Sequence, residues 1–190
     1  MARRALVVLT AAVVLSSILR ADEPKKRVSD FTLEDYKGEK HSLSDYKSSK
    51  AIVLMFIATQ CPISNSYNER MVELYKDYSS KGVTFVGINS NKQESAEEVQ
   101  NHSKEHGFKF VVLKDWNNVV ADTLEASVTP EIYVLNSQRE VLYHGRIDDS
   151  SRENRVTSKD LRAALDRILA GKTVEVTETK AFGCSIKRIK

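Results

Sequence analysis

Cysteine is scarce in this chain: Cys61 and Cys184 are the only two among 190 residues. A chain of this length buries enough apolar surface to hold one domain together without covalent cross-links. Two cysteines therefore exclude a small disulfide-stapled scaffold, and they are enough for one disulfide or one redox couple. The length also predicts one domain rather than two.

An excess of charge of one sign is missing once the N-terminus is set aside. The chain carries 29 Lys plus Arg against 26 Asp plus Glu, and three of the basic residues lie within residues 1–21, where there is no acidic residue. Removing those three leaves 26 basic residues against 26 acidic ones. This balance provides no electrostatic basis for binding nucleic acid, and we expect no such partner.

Long apolar runs are absent apart from one near the N-terminus. Two arginines precede an uncharged, mostly apolar run over residues 5–19, which is typical of a secretory signal peptide. The run is about 15 residues long, whereas a membrane-spanning helix needs roughly 18 to 20. We expect residues 1–21 to be a signal peptide cleaved near Ala21, with an uncleaved anchor as the alternative. Residues 22–29 are then a linker, and the mature protein is periplasmic or extracellular without stable membrane insertion.

Signatures of cofactor and metal chemistry are also missing. The chain has no glycine-rich phosphate loop and no Ser-His-Asp arrangement. Its four histidines show no metal-ligand spacing together with Cys61. We therefore expect neither a cofactor nor a metal, and the thiols remain as the source of chemistry.

The apolar pattern that is present predicts an α/β domain. Residues 51–58 form a continuous apolar run, which predicts a central strand covered on both faces. A β-hairpin is predicted before it, around 31–33 and 42–43. Further strands are predicted over 83–88, 110–113, 132–135 and 141–143, and helices over 62–82, 94–106, 119–124 and, after a capping-box pattern at 157–160, up to Gly171.

Cys61 lies at the junction between the central strand and the helix that follows. Pro62 suits the first helical position because that position needs no backbone donor. A cysteine at a helix N-terminus lies beside unpaired N–H groups and the positive end of the helix dipole, and both favour the thiolate. A buried, inert cysteine is the structural alternative, but the placement indicates a reactive thiol.

Six short motifs are spread along the chain, and together they resemble a known family. They are Asp30-Phe31-Thr32-Leu33, Gln60-Cys61-Pro62, Gly87-Ile88-Asn89-Ser90-Asn91, Thr129-Pro130, Gly145-Arg146-Ile147-Asp148-Asp149 and Gly183-Cys184-Ser185-Ile186-Lys187. This set resembles the thioredoxin superfamily, and more closely the redoxin or peroxiredoxin-like branch related to alkyl hydroperoxide reductase and thiol-specific antioxidant. The resemblance implies a thioredoxin-like fold over residues 30–190, with a central mixed sheet flanked by helices and a C-terminal extension from about residue 172.

The resemblance also implies a site around Cys61. In that superfamily the proline of the Thr-Pro pair is cis and faces the active cysteine, so the backbone of Thr129, before Pro130, is expected to pair with an incoming peptide like an added strand. Thioredoxins carry a second cysteine where this chain has Ser64. A mixed disulfide on Cys61 would then be resolved by Cys184 or by an external thiol, and Ser64 is expected to donate a hydrogen bond to the thiolate.

The partner of Cys61 and the role of Arg146 remain open at the level of sequence. Cys184 lies in a terminal segment that could fold back over the helix start, and a structural disulfide, a redox couple and two unrelated thiols all fit. Arg146 precedes two acidic residues at the end of a strand. It could stabilise a thiolate or bind an anionic substrate, or it could belong to a salt-bridged turn.

The sequence therefore predicts an exported thiol–disulfide oxidoreductase. Cys61 attacks, Thr129-Pro130 shapes the substrate groove and Cys184 is the candidate resolving thiol. The expected partners are protein thiols or disulfides, together with an external thiol reductant.

Three alternatives compete with this prediction. A peroxidase would form a sulfenic acid on Cys61, but Leu54 and Ala58 stand where peroxiredoxins have Pro and Thr before the reactive cysteine. A copper-handling protein of this fold needs a second cysteine where Ile57 stands. A non-catalytic domain with a stable cross-link between the two cysteines is the third.

Overall fold

The computed structural model describes residues 26–189, so the expected signal peptide and the first part of the expected linker lie outside the described residues. Within 26–189 the chain forms nine strands and five α-helices. The strands are β1 (Thr32–Asp35), β2 (Lys40–Ser42), β3 (Ala51–Phe56), β4 (Val83–Asn89), β5 (Val111–Lys114), β6 (Val128–Thr129), β7 (Glu131–Leu135), β8 (Val141–Gly145) and β9 (Cys184–Ser185). The helices are α1 (Pro62–Asn65), α2 (Asn68–Tyr78), α3 (Ala96–Glu105), α4 (Val119–Leu124) and α5 (Asp160–Leu169).

Seven strands form one mixed sheet in the order β2-β1-β5-β4-β3-β7-β8. The strands β3, β4 and β5 run parallel to one another, β7 pairs antiparallel with β3, and β8 pairs antiparallel with β7. The predicted hairpin is present as β1 and β2, which pair antiparallel at one edge. The predicted mixed sheet with flanking helices and an N-terminal hairpin is confirmed.

The central strand β3 is buried along its whole length, as its apolar run predicts. Val53 and Met55 point into one core cluster together with residues of α2, α3 and α5. Leu54 and Phe56 point into the other cluster together with residues of α4. Each such side chain contributes about 1.5 to 3 kcal/mol on full burial, so the strand holds helices on both faces of the sheet.

The helix predicted from Pro62 to Gly82 is broken, and this prediction is wrong in its middle. The Ser66 hydroxyl donates to the Ile63 carbonyl at 2.7 Å, which is the acceptor that a continuing α-helix would offer to the Tyr67 amide. That amide bonds the Ser64 carbonyl instead, at 3.0 Å. The Ser66 carbonyl in turn accepts from the Arg70 guanidinium at 3.0 Å, so a new helix, α2, begins after the break.

The capping box predicted at the start of α5 does not form. Lys159 is the N-cap and provides no side-chain hydrogen bond. Thr157 bonds Asp149 instead, through its amide at 2.9 Å and through its hydroxyl. The threonine is therefore used to close the loop after β8 rather than to cap the helix.

Both ends of the described chain pack against the domain. Residues 26–29 were predicted to be linker, yet Val28 is buried and its amide donates to the Arg139 carbonyl at 2.8 Å. Residues 172–189 run back over β8, where the Thr179 amide donates to the His144 carbonyl at 2.9 Å. They end in β9, which has no counterpart among the predicted strands. None of the helices between residues 26 and 189 is long and apolar enough to cross a membrane.

Candidate active site: two thiols at a helix N-terminus

Cys61 occupies the N-cap position of α1, directly before Pro62, as the sequence predicts. Its side chain is only 3% exposed. The sulfur accepts a hydrogen bond from the Ser64 amide at 3.3 Å and lies 3.4 Å from the Thr129 carbonyl oxygen, to which the thiol donates. The first turn of the helix thus directs a backbone donor at the sulfur, which is the arrangement that favours a thiolate.

The two residues before Cys61 are held by a buried carboxylate that sequence reasoning missed. Glu94 is fully buried, and it accepts hydrogen bonds from the amides of Thr59 at 2.8 Å and Gln60 at 3.1 Å. The side-chain amides of Asn89 and Asn91 donate to the same carboxylate. Glu94 therefore fixes the backbone that leads into the reactive cysteine.

A buried lysine balances this carboxylate. The Lys114 ammonium donates to the Asn89 side chain at 2.6 Å, to the Asn91 carbonyl at 3.1 Å and to the Glu94 carbonyl at 2.7 Å. Burial lowers the pKa of Lys114 to about 8, although the charge of Glu94 acts in the opposite direction. The only signals in the sequence were the Asn-Ser-Asn motif after β4 and a charged residue ending the apolar strand β5.

The Thr129-Pro130 peptide bond is cis, and Thr129 faces Cys61 as the resemblance implied. Thr129 is buried and belongs to β6, the short strand that precedes β7. Its carbonyl contacts the sulfur across 68 positions of sequence. The structure therefore shows both the cis bond and the approach of this motif to Cys61, and the pairing of Thr129 with an incoming peptide stays a prediction.

The second cysteine lies beside the first. The strand β9 pairs antiparallel with β6, and Cys184 stands opposite Thr129 in that pairing. Both thiols are free, with Cys61 buried and Cys184 half-buried, and Thr129 brings them together because it stands opposite Cys184 while its carbonyl oxygen lies 3.4 Å from the Cys61 sulfur. Of the alternatives left open by the sequence, this placement favours a redox couple or a structural disulfide over two unrelated thiols.

The pKa values of the two thiols shift in opposite directions. Burial raises the pKa of Cys61, but hydrogen bonds from the Cys184 side chain and the Ser64 amide outweigh it, and the pKa lies below its usual value. The contact with Cys61, together with burial, raises the pKa of Cys184. Cys61 is therefore the thiol that ionises first, while Cys184 keeps its proton.

This assignment predicts a difference between two substitutions at one position. Cys184→Ala removes the donor to Cys61, whereas Cys184→Ser retains a hydroxyl that can donate. We expect the pKa of Cys61 to be higher in the alanine variant than in the serine variant. Thiolate absorbance followed as a function of pH measures it, since each variant contains one cysteine. Equal values in both variants would show that the Cys184 side chain does not stabilise the thiolate.

Two of the predicted site residues act differently from expectation. Ser64 does donate to Cys61, but through its backbone amide, whereas its hydroxyl accepts from the Ala58 amide at 3.2 Å. Arg146 donates to Asp160 at 2.7 Å and, within the described residues, forms no hydrogen bond with either thiol. Of the alternatives left open for Arg146, the structure therefore shows a salt bridge, to Asp160 at the start of α5, and, within residues 26–189, no contact with the thiolate.

A second arginine fills the space beside the helix break. Arg70 pairs with Asp148 at 2.6 Å, and its guanidinium lies 3.7 Å from the centre of the Tyr67 ring. The Tyr67 ring packs edge-on against Phe182, with 6.3 Å between the ring centres. Arg70 also lines a cleft of about 260 Å³. The contacts from Arg70 through Tyr67 to Phe182 connect the start of α2 with the segment that carries Cys184.

Within residues 26–189, one group of side chains could hold a metal ion. Ligand atoms of Asp35, Glu39 and His41 lie within 4.8 Å of one another on the hairpin of β1 and β2. One carboxylate oxygen of Asp35 already accepts the amides of Lys37 and Glu39. This hairpin is separated from β3 by two strands of the sheet, so the group lies apart from the two thiols.

The sequence of this chain is similar to one protein family and to several curated proteins. The sequence model of the AhpC/TSA family matches residues 24–144. The thiol-disulfide oxidoreductase ResA of Bacillus subtilis is 32% identical over 113 residues, which are 60% of this chain and 62% of ResA. A probable phospholipid hydroperoxide glutathione peroxidase of Nicotiana tabacum is 38% identical over 79 residues, 39% of this chain and 46% of that protein. The chain thus spans less than two thirds of these curated relatives.

Solved structures match over more of the chain. A hypothetical protein of Sinorhizobium meliloti aligns with a TM-score of 0.82 and 35% identity, covering 87% of this chain and 94% of that one. The thioredoxin domain of a Bacteroides vulgatus thiol-disulfide oxidoreductase aligns with a TM-score of 0.56 and 18% identity, covering 63% of this chain and 86% of that one. This second match shows a shared fold, and the thioredoxin-like architecture is confirmed.

Proposed function

This chain belongs to the AhpC/TSA family, and from that premise we propose that it is an extracytoplasmic thiol–disulfide oxidoreductase whose redox centre is the pair Cys61 and Cys184. The observation that carries the proposal is the pairing of β9 with β6, which sets Cys184 opposite Thr129, the residue whose carbonyl oxygen lies 3.4 Å from the Cys61 sulfur. The similarity to ResA supports the same class of reaction.

Exchange begins at the more acidic thiol. The Cys61 thiolate attacks one sulfur of a substrate disulfide, forms a mixed disulfide with it, and releases the other sulfur as a thiolate that takes up a proton. The charge on Cys61 is consumed in this step. Because the contact with Cys61 is what holds the pKa of Cys184 up, that pKa then falls.

Resolution takes place within the chain because Ser64 stands where a local partner cysteine would be. Cys184 loses its proton, attacks Cys61 and forms the Cys61–Cys184 disulfide, while the second substrate thiolate departs with the proton. The substrate has gained two electrons and the cysteine pair has lost two. An external thiol reductant returns them and closes the cycle.

A peroxide is the second candidate substrate, and the burial of Cys61 favours it because a small molecule needs little exposed surface. The thiolate would attack one peroxide oxygen, break the O–O bond and release an alcohol or water, leaving a sulfenic acid. Cys184 would then condense with it to the same disulfide, with loss of water. The similarity to the tobacco protein supports this candidate.

The extracytoplasmic part of the proposal is supported by the N-terminal sequence. Arginines precede an apolar run over residues 5–19 and an Arg-Ala-Asp sequence follows it, as in secretory signal peptides. In an oxidising compartment a cysteine pair forms a disulfide and persists as one, so an external thiol reductant is needed to return it to the dithiol state.

Titration of the two thiols in defined redox buffers, read by mass spectrometry after alkylation, tests the function. We expect the pair to interconvert between dithiol and disulfide at a potential near or above about −250 mV, within the range of catalytic cysteine pairs. A disulfide whose reduction potential lies below about −300 mV would be structural, and the proposal would fail. If the protein consumes peroxide with a thiol donor and does not reduce disulfides, the substrate is a peroxide rather than a disulfide.

A further inference from the structure

The C-terminal segment of residues 183–189, called here the C-terminal strap, lies along the backbone edge next to Cys61. Its strand β9 sets Ser185 opposite Val128 and Cys184 opposite Thr129. The Ile186 amide extends the ladder by donating to the Ser127 carbonyl at 3.0 Å. An extended peptide that binds to an open strand edge forms hydrogen bonds of this kind. The strap therefore stands where a peptide substrate would add.

Backbone hydrogen bonds and one buried side chain hold the strap in place. The Lys187 amide donates to the Asn91 side chain at 2.7 Å, and the Lys187 carbonyl accepts from the Lys92 amide at 2.9 Å. The Ile189 amide donates to the Asn118 side chain at 2.8 Å. Ile186 is 5% exposed and belongs to the core cluster that contains Phe56.

The approach of the strap to the Thr129-Pro130 peptide leaves no room for a second strand. A Cβ atom built on Gly183 would collide with the Thr129 carbonyl oxygen. Gly183 thus permits backbone-to-backbone contact at the residue that faces Cys61. A peptide could pair with Thr129 only after the strap had left.

We propose that the C-terminal strap is a built-in substrate strand, which keeps peptides off the edge beside Cys61 and presents Cys184 as the sulfur that a partner dithiol attacks. This inference rests on the proposed redox cycle and adds the site of exchange with the reductant. Exposure supports it: Cys61 is 3% exposed, whereas Cys184 is half-buried and its neighbour Ser185 is exposed.

The reductant is oxidised in two exchange steps. A thiolate of the reductant attacks the Cys184 sulfur of the oxidised pair, a new disulfide forms to Cys184, and the Cys61–Cys184 bond breaks. Cys61 leaves with the electron pair, and its lowered pKa makes it the better leaving group of the two. The second thiolate of the reductant then attacks its own partner sulfur, Cys184 departs and takes up a proton, and the reductant has lost two electrons.

Trapping of the mixed disulfide tests which sulfur is attacked. The full chain is oxidised, its Cys61–Cys184 disulfide is verified by mass spectrometry, and a thioredoxin that retains only its attacking cysteine is added as the probe. We expect the adduct on Cys184 to exceed the adduct on Cys61 by at least about tenfold, since access and leaving-group acidity both favour it. An adduct mainly on Cys61 would overturn the inference. Failure to form the starting disulfide would instead overturn the proposed function on which it rests.

A backbone substitution tests the shielding by the strap. In a Cys184→Ser background, Gly183→Ala is expected to raise the rate of Cys61 alkylation by at least about tenfold, because the new Cβ displaces the strap and opens the edge. Gly171→Ala is the matched control: Gly171 also has a positive φ, of 67°, but a Cβ there meets no atom within 4 Å. An equal alkylation rate in both variants would overturn the shielding role.

A second substitution keeps this test independent of unfolding. Arg188 is a surface residue of the strap that bonds Asp122 at 2.6 Å and the Ala126 carbonyl. Arg188→Ala removes these contacts without introducing a collision. We expect it to raise Cys61 alkylation several-fold with an unchanged urea midpoint, by loosening the strap alone. No increase in this folded variant would contradict the shielding.

Discussion

Replacing Cys61 with serine is expected to lower the rate of disulfide reduction by at least about 1,000-fold, because a serine hydroxyl is hardly ionised and cannot form a disulfide. Cys184→Ser is expected to behave differently. Attack still takes place at Cys61, so the mixed disulfide accumulates instead of being resolved. Single-turnover reaction with a small aromatic disulfide, without added reductant, measures both: released thiol gives the rate and mass spectrometry gives the adduct.

The pair of variants separates the two roles. A Cys61→Ser variant that keeps the wild-type rate would remove Cys61 from the chemistry. A Cys184→Ser variant that releases both substrate thiols in a single turnover would show that Cys184 is not the resolving thiol. Cys184→Ser is conservative at a half-buried position, so loss of resolution there is not expected to reflect loss of the fold.

Glu94→Gln is expected to lower the free energy of unfolding by about 3 to 5 kcal/mol although the two side chains have nearly the same shape. One carboxylate oxygen of Glu94 accepts from Gln60 and Asn91, and the other accepts from Thr59 and Asn89. An amide group would set its NH₂ against two N–H donors and leave them unsatisfied, each at a cost of about 1 to 3 kcal/mol. Urea denaturation measures the change.

Glu98→Gln is the matched control on the same segment. Glu98 accepts from the Ser95 amide at 2.6 Å and from the Gln60 side chain at 2.9 Å, in a solvent-accessible position. Glutamine preserves the capping box at the start of α3, so we expect a change within about 0.5 kcal/mol. A loss below about 1 kcal/mol for Glu94→Gln as well would show that the buried carboxylate is not needed to hold the backbone before Cys61.

Features that depend on neighbouring residues could be predicted from sequence. The run over 51–58 predicts a buried strand because it has no polar position to face solvent, and β3 is buried on both faces. The residues over 119–124 predict a short helix, which is α4. Cys61 and Pro62 predict a helix start because the two residue types satisfy the requirements of its first positions.

Features that depend on competition between hydrogen-bond partners could not be predicted from sequence. The break between α1 and α2 exists because the Ser66 hydroxyl takes the carbonyl that the helix would use, while Arg70 takes the Ser66 carbonyl. Thr157 fits a capping box equally well, but Asp149 is brought to it by the turn after β8. The helical pattern of the sequence contains no information on which of two available partners wins.

The sequence by itself determined that a thiol stands at a helix start, and that Ser64 leaves this thiol without a local cysteine partner. The tertiary structure alone decided the partner, because Cys184 reaches Cys61 through a two-residue strand too short to have a periodic signal. It also decided the network of Glu94 and Lys114, whose members are distant in sequence. Asn91, part of that network, binds the amide of Lys187 across 96 positions. Register over such distances is set by packing and by the satisfaction of buried polar groups, which exist only in the folded chain.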